Sequence, residues 1–152
     1  VIRRGDVQMM SAGRGIRHSE FNGSQNEPVH FLQIWILPDR QGVTPRYQQK
    51  HFPDAEKRGR LRLVIAPDAV DGALDVYQDA RVYVTRLSAG QTAQHALAAG
   101  RHAYVHVARG QVRLGDDLVL DAGDAAALSA ESAVVLSGTT ADAAEVLVFD
   151  LA

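Results

Sequence analysis

The segment that decides the fold is Gly5-Asp6-Val7-Gln8-Met9-Met10-Ser11-Ala12-Gly13-Arg14-Gly15-Ile16-Arg17-His18-Ser19-Glu20. It opens on a Gly-Asp turn, runs through an apolar strand, bends at two glycines and ends with an imidazole and a carboxylate two residues apart. In an extended backbone, side chains at i and i+2 share a face, so His18 and Glu20 are candidate ligands of one metal ion while Ser19 faces away. His-x-Glu alone is a common spacing in a chain with six histidines and eighteen acidic residues, and its alternative is a pair of solvated surface groups. The residues around it supply the context.

Gly5, Gly13, His18 and Asn22 resemble the second motif of the cupin superfamily, in which a glycine-opened strand and turn deliver a histidine ligand to a small β-barrel. Ser11 stands where that motif usually has proline, and two extra residues separate Gly13 from His18. The whole run, with Met10 at its methionine position, closely resembles pirin and the bacterial pirin-like proteins. The likeness continues through His30-Phe31-Leu32-Gln33-Ile34-Trp35-Ile36 and Tyr47-Gln48-Gln49, and more loosely to Val148-Phe149-Asp150-Leu151.

The resemblance implies an all-β cupin fold, a double-stranded β-helix or jelly-roll barrel, in a two-barrel protein nearly twice this length. It also implies a metal, usually iron, held by three histidines and one glutamate in the N-terminal barrel. His18 and Glu20 match the last two ligands; the first two belong to a His-x-His on an upstream strand. The chain opens at Val1 in what reads as mid-strand. We therefore expect a C-terminal portion, with the end of the N-terminal barrel over 1–45, a linker over 46–59 and a complete C-terminal barrel over 60–152. The missing N-terminal half is the expected partner, and metal binding by these residues alone is expected to be weak or absent.

For the intact protein the resemblance implies a mononuclear-iron dioxygenase of quercetin-like aromatic enolic substrates. Imidazole with carboxylate suits Fe(II), and also Mn, Co, Ni or Cu. The alternatives are a non-enzymatic protein-binding or regulatory module with a structural or redox-sensing metal, and a metal-free inactive fragment.

Bulk properties fit one ordinary β-domain. The chain has 152 residues, 46% of them hydrophobic and 22% charged, with a formal net charge of −2. That charge leaves no cationic excess to neutralise phosphates, which argues against nucleic-acid binding. The absence of cysteine excludes disulfides, thiolate metal sites and a cysteine nucleophile, and is compatible with the reducing cytoplasm where we expect the protein. No apolar run approaches the roughly 20 residues that span a bilayer, so no membrane partner is expected.

Short apolar runs between Gly, Asp, Asn and Pro punctuate the chain as all-β. Val1–Ile2 and Val7–Met10 are expected to flank the Arg4-Gly5-Asp6 turn as two strands. Asn22 to Pro28 reads as a polar loop bordering the site. Val29–Leu37, apolar on nearly both faces, reads as a buried strand ended by Pro38, with His30 at its start. Asp39–Gly59 shows no clear period, and Tyr47, His51 and Phe52 are placed to pin it to a barrel. Strands are then expected over Leu61–Ala66, Leu74–Tyr77, Val82–Leu87, Ala103–Ala108, Gln111–Leu114, Leu118–Leu120, Ala125–Leu128, Ala133–Leu136 and Val146–Phe149. Turns at Asp71-Gly72, Arg109-Gly110, Gly115-Asp116-Asp117 and Ala122-Gly123-Asp124 separate several at near-hairpin spacing. The alanines of Ala96–Ala99 read as loop.

The second unit keeps a cupin frame without its ligands. Gly90 leads to His95, but the partner position is Leu97, the glutamate position falls near Ala103, and no histidine follows Gly123-Asp124. His102 and His106 share a strand face with Tyr104 and read as hydrogen-bonded, half-buried histidines rather than ligands. No Gly-x-Ser-x-Gly elbow or phosphate loop is present.

Overall fold

The computed structural model describes residues 1–152. It is all-β, and its organising layer is a six-stranded sheet covered on both faces. That sheet has the order β10(Ala125–Leu128), β7(His102–Arg109), β12(Ala144–Leu151), β5(Ala80–Leu87), β3(Arg62–Ala66), β4(Leu74–Asp75). Every pairing is antiparallel except β3 with β4. Facing it is a four-stranded antiparallel sheet of order β6(Thr92–Ala96), β11(Ala133–Gly138), β8(Gln111–Leu114), β9(Leu118–Asp121). On the opposite side lies the pair β1(Asp6–Ser11) and β2(Arg46–His51), in register from Asp6 opposite His51 to Ser11 opposite Arg46.

β12 shows why the middle sheet needs two covers. Ala144, Val146 and Val148 belong to the core between the sheets, with Leu87, Val105, Val107, Val112, Val134 and Leu136. The alternate residues Leu147 and Phe149 join a second core with Phe52, Val64, Ile65 and Val82, against which Val7, Met9 and Ile36 pack. A strand buried on both faces is apolar at successive positions, as this one is. The pinning of 46–59 falls mainly to Phe52, 1% exposed, with Lys50 and Arg62 each 5.3 Å from its ring centroid.

Within 60–152 eight of the expected strands recur nearly in place, 111–114 and 125–128 with the same ends, while only Leu74–Asp75 of the expected Leu74–Tyr77 is strand. Four other local expectations are corrected. Thr92–Ala96 is a strand pairing with β11, although its small and polar residues carry little β signal. Arg109-Gly110 is a corner between sheets instead of a hairpin: β7 lies in one sheet and β8 in the other. Gly110 has φ +73°, and a Cβ there would lie 2.9 Å from Ala144 Cα. Val1–Ile2 is not a strand, since β1 pairs with β2 instead. The stretch 39–59 is not structureless, because it holds β2 and a one-turn helix, α1(Asp54–Lys57).

The largest departure is Val29–Leu37. No residue from 12 to 45 is in regular secondary structure, and the stretch read as a buried strand lies extended on the surface with Trp35 87% and Leu37 81% exposed. His30, expected to open a core strand, is exposed as well. A strand needs a ladder partner, and no strand of this chain pairs with this one.

Asp6 ties the start of β1 to the end of β2. Its carboxylate accepts from the Arg3 backbone N–H at 2.9 Å, from Gln49 Nε2 at 3.0 Å and lies 2.8 Å from His51 Nδ1. The Arg3 N–H foremost, and then His51, hold it below the ordinary value of 3.8. A carboxyl with a depressed folded value stabilises the fold above the unfolded value and loses that contribution as pH falls through the folded one. Acid titration of the unfolding midpoint is therefore expected to show stability dropping below about pH 4, with a shallower drop in Asp6→Asn. An identical acid limb in the variant would contradict this.

Candidate metal centre

β1 ends at Ser11, and the turn after it is set by sterics. Gly13 has φ +52°, and a Cβ there would sit 2.0 Å from Val43 O and 3.2 Å from Pro45 N. Only glycine lets the chain pass this close to the segment entering β2. Gly15, at φ +119°, donates its N–H to Ala12 O at 2.8 Å. From there the chain runs extended through His18 and Glu20, both exposed.

The polar loop after Glu20 is organised by its own side chains. Asn22 Nδ2 donates to Glu27 O at 2.7 Å, the Ser24 N–H to Asn22 Oδ1 at 3.0 Å, and the Glu27 N–H to Ser24 Oγ at 2.9 Å. His18 and Glu20 thus stand between two defined turns. An imidazole and a carboxylate suit a divalent transition metal in donor type, but no group of three or more His, Asp or Glu side chains converges anywhere in the chain.

His95, the one histidine left at a cupin ligand position, is engaged elsewhere. Its Nε2 lies 2.7 Å from Asp150 Oδ2, and its ring packs at a 44° tilt against Tyr83 with centroids 4.5 Å apart. Asp150, 4% exposed, also accepts from Arg101 Nε, and Arg101 NH1 reaches Asp79 Oδ2 at 3.0 Å. The Asp150 carboxylate raises the Arg101 guanidinium further above its ordinary range. Burial foremost, then Asp150, raises the Tyr83 phenol. This network links β6 of one sheet to β12 and β5 of the other. The sequence signal for it was Asp150 itself, a charge at the inward-facing period of Val146 and Val148.

The remaining histidines form no site with these. His51 bonds Asp6, and His102 Nδ1 lies 2.9 Å from Ser129 Oγ. His106 and Tyr104 face away from the barrel core into an apolar groove of about 440 Å³. Leu32–Ile36 form one wall of that groove, and Leu147, Phe149 and Leu151 line the sheet side.

Residues 63–151 match the family described as the quercetinase C-terminal cupin domain, and residues 1–36 match pirin. A protein of Escherichia coli strain K12 named quercetin 2,3-dioxygenase is 40% identical over 150 residues, which is 99% of this chain and 62% of that protein. The crystal structure of YhhW from Escherichia coli superposes with a TM-score of 0.90 at 38% identity, covering 99% of this chain and 62% of that one. The bacterial pirin YhhW in complex with nickel(II) gives 0.87 at 41% identity, over 97% of this chain and 61% of that one. The chain thus spans a little under two thirds of the length of these relatives. With cupin domain match, barrel topology and the Gly13-to-Glu20 turn in agreement, the chain belongs to the pirin family of cupin proteins.

Proposed function

We propose that this chain is the C-terminal portion of a pirin-type two-barrel metalloprotein of the cytoplasm that oxidises a quercetin-like flavonoid. Residues 1–45 are the remainder of an N-terminal barrel, 46–59 connect, and 60–152 form the C-terminal barrel. His18, through neutral imidazole, and Glu20, through carboxylate oxygen, hold a divalent transition metal. Their co-ligands come from the part of the protein that the relatives possess beyond the match. Iron is the metal implied by the family, and the nickel complex of YhhW shows that a pirin accepts another divalent ion. When bound, such an ion offers exchangeable coordination positions to an enolic oxygen and to dioxygen.

The observation that carries this is the 40% identity across nearly the whole chain to a protein named for the activity. The chain's own share of the work is to deliver the two donors: the β1–β2 ladder fixes the strand, Gly13 sets the exit, and Gly15 turns it. The C-terminal barrel, its one candidate ligand bonded to Asp150, serves as support. The test is dioxygen uptake with quercetin by a chimera in which this chain replaces the matching region of the Escherichia coli relative. Uptake is expected in the chimera and lost in His18→Ala and Glu20→Ala; undiminished uptake in both variants would refute the assignment. The exposed apolar strip before Pro38 favours a second reading, a protein-binding module with a structural or redox-sensing metal, for which the chimera would show no uptake.

A further inference from the structure

We infer that one end of the C-terminal barrel is a second, metal-independent binding site, in which His95 Nδ1 and the Tyr83 hydroxyl together hold the hydroxyl group of a small neutral phenol. The inference goes beyond the assignment of His18 and Glu20 and does not rest on it.

Strand register brings these groups together. Tyr83 lies opposite Val148 on β12, and Asp150, two residues further along, lies opposite Ala103. Val148 and Ala103 belong to the core between the sheets, so Tyr83 and Asp150 share its face. From the facing sheet, His95 follows the core residue Ala93 at the same period. The rest of that core is alanine, valine and leucine, and only this end of it is polar.

Hydrogen bonding decides which histidine nitrogen is free. His95 Nε2 is 2.7 Å from Asp150 Oδ2, and Asp150 is ion-paired with Arg101. A carboxylate only accepts, so Nε2 carries the proton and Nδ1 of the neutral imidazole presents a lone pair. The polar side-chain atoms that are both sealed from solvent and without a partner are Arg46 Nε and Arg86 Nε. Nδ1 of His95 and Oη of Tyr83, which bond no other protein atom, therefore reach solvent. A tie between the sheets uses Nε2 and the carboxylate alone. It leaves a lone pair and a hydroxyl over, on rings whose centroids are 4.5 Å apart. Stability does not call for such a set either, because apolar groups of similar volume often serve as well as a buried ion pair.

The same residues define the ligand. A hydroxyl that donates to Nδ1 and accepts from Oη uses both groups at once. Burial foremost, with Asp150, raises the Tyr83 phenol, which keeps it a donor. Asp79 and Asp150 are matched by Arg81 and Arg101, so no charge is left over for an ammonium or a phosphate. The tilted Tyr83 and His95 rings offer aromatic contact, and a phenolic hydroxyl is a more acidic donor than that of an alkanol.

The test uses the metal-free 152-residue chain and the metal-free chimera, both labelled with nitrogen-15 histidine, and 4-fluorophenol as the probe. Nitrogen spectra report the tautomer of each of the six histidines of the chain, and His95 is assigned by its loss in His95→Gln. The expected result is an Nε2–H tautomer for His95 and an Nδ1 resonance that moves saturably, with one probe bound, in both formats. Tyr83→Phe keeps the ring and is expected to weaken binding about fivefold, the ratio that one hydrogen bond between neutral groups supports. His95→Gln should abolish it, and His102→Gln, whose imidazole bonds Ser129, should leave it unchanged. Phenyl phosphate should not compete. An Nδ1–H tautomer in the free protein, a His95 resonance unmoved by the probe in either format, or undiminished affinity in Tyr83→Phe overturns the inference. With no metal present, each of these results is separate from the fate of the His18 and Glu20 assignment.

Discussion

Replacing Asp150 with alanine is expected to lower stability by about 3 kcal/mol, the low end of the range for breaking a buried ion pair by removing one partner. The carboxylate is 4% exposed and accepts from both His95 and Arg101, so its loss leaves a guanidinium and an imidazole without their shared acceptor. The effect reaches across the barrel because His95 is on β6, in the four-stranded sheet, while Asp150 is on β12 in the middle one. Arg101 keeps Asp79 at 3.0 Å and some contact with water, which holds the cost to the lower end. Asp150→Asn retains the shape but not the charge and should recover only part of the loss. Urea unfolding measures both variants. A change within about 0.5 kcal/mol for Asp150→Ala, the range of ordinary surface substitutions, would show that the network does not hold the two sheets together.

Gly13→Ala is the second large effect, and it falls on the other side of the molecule. A non-glycine residue in the left-handed region costs about 1–2 kcal/mol, and the new methyl would lie 2.0 Å from Val43 O, so the backbone has to move. Overpacking of this kind adds about 1–3 kcal/mol. Gly15→Ala separates the steric contact from backbone strain: at φ +119° its backbone is also strained for alanine, but nothing lies within 4 Å of the added Cβ. Hydrogen exchange should show the β1–β2 amides losing protection in Gly13→Ala and keeping it in Gly15→Ala. Equal protection in the two variants would mean that the Val43 contact does not set the turn.

The C-terminal barrel was legible because its turns are written in glycine and aspartate. Gly115-Asp116-Asp117 and Gly123-Asp124 bracket β9 closely enough that Gln111–Leu114 and Ala125–Leu128 could be read to the residue. What was not legible depended on partners distant in sequence. β2, Arg46-Tyr47-Gln48-Gln49-Lys50-His51, has no apolar face, and it is a strand because β1, 40 residues earlier, pairs with it. Val29–Leu37 failed in the opposite direction. Its residues have every local preference of a core strand, but ladder and burial are supplied by neighbours, and none within this chain pairs with it.

The candidate site divides in the same way. His18 and Glu20 were proposed from residue types and glycine spacing, which are local, and the Gly13–Val43 contact gives the reason for a glycine at the exit of β1. His95 was the reverse case. Its position fits a ligand, but Asp150, 55 residues away in sequence, bonds its ring and is itself held by Arg101.

The most direct test of the whole is a nickel(II) titration, followed by calorimetry, of the chimera and of the 152-residue chain. One equivalent should bind tightly to the chimera and far more weakly to the chain alone. Because even groups that only orient a metal ligand cost about 10–100-fold in affinity when lost, His18→Ala and Glu20→Ala should each weaken the chimera by more than about 100-fold. Tight one-to-one binding by the 152-residue chain, or chimera affinity unmoved by His18→Ala, would contradict the placement of the metal at these two residues.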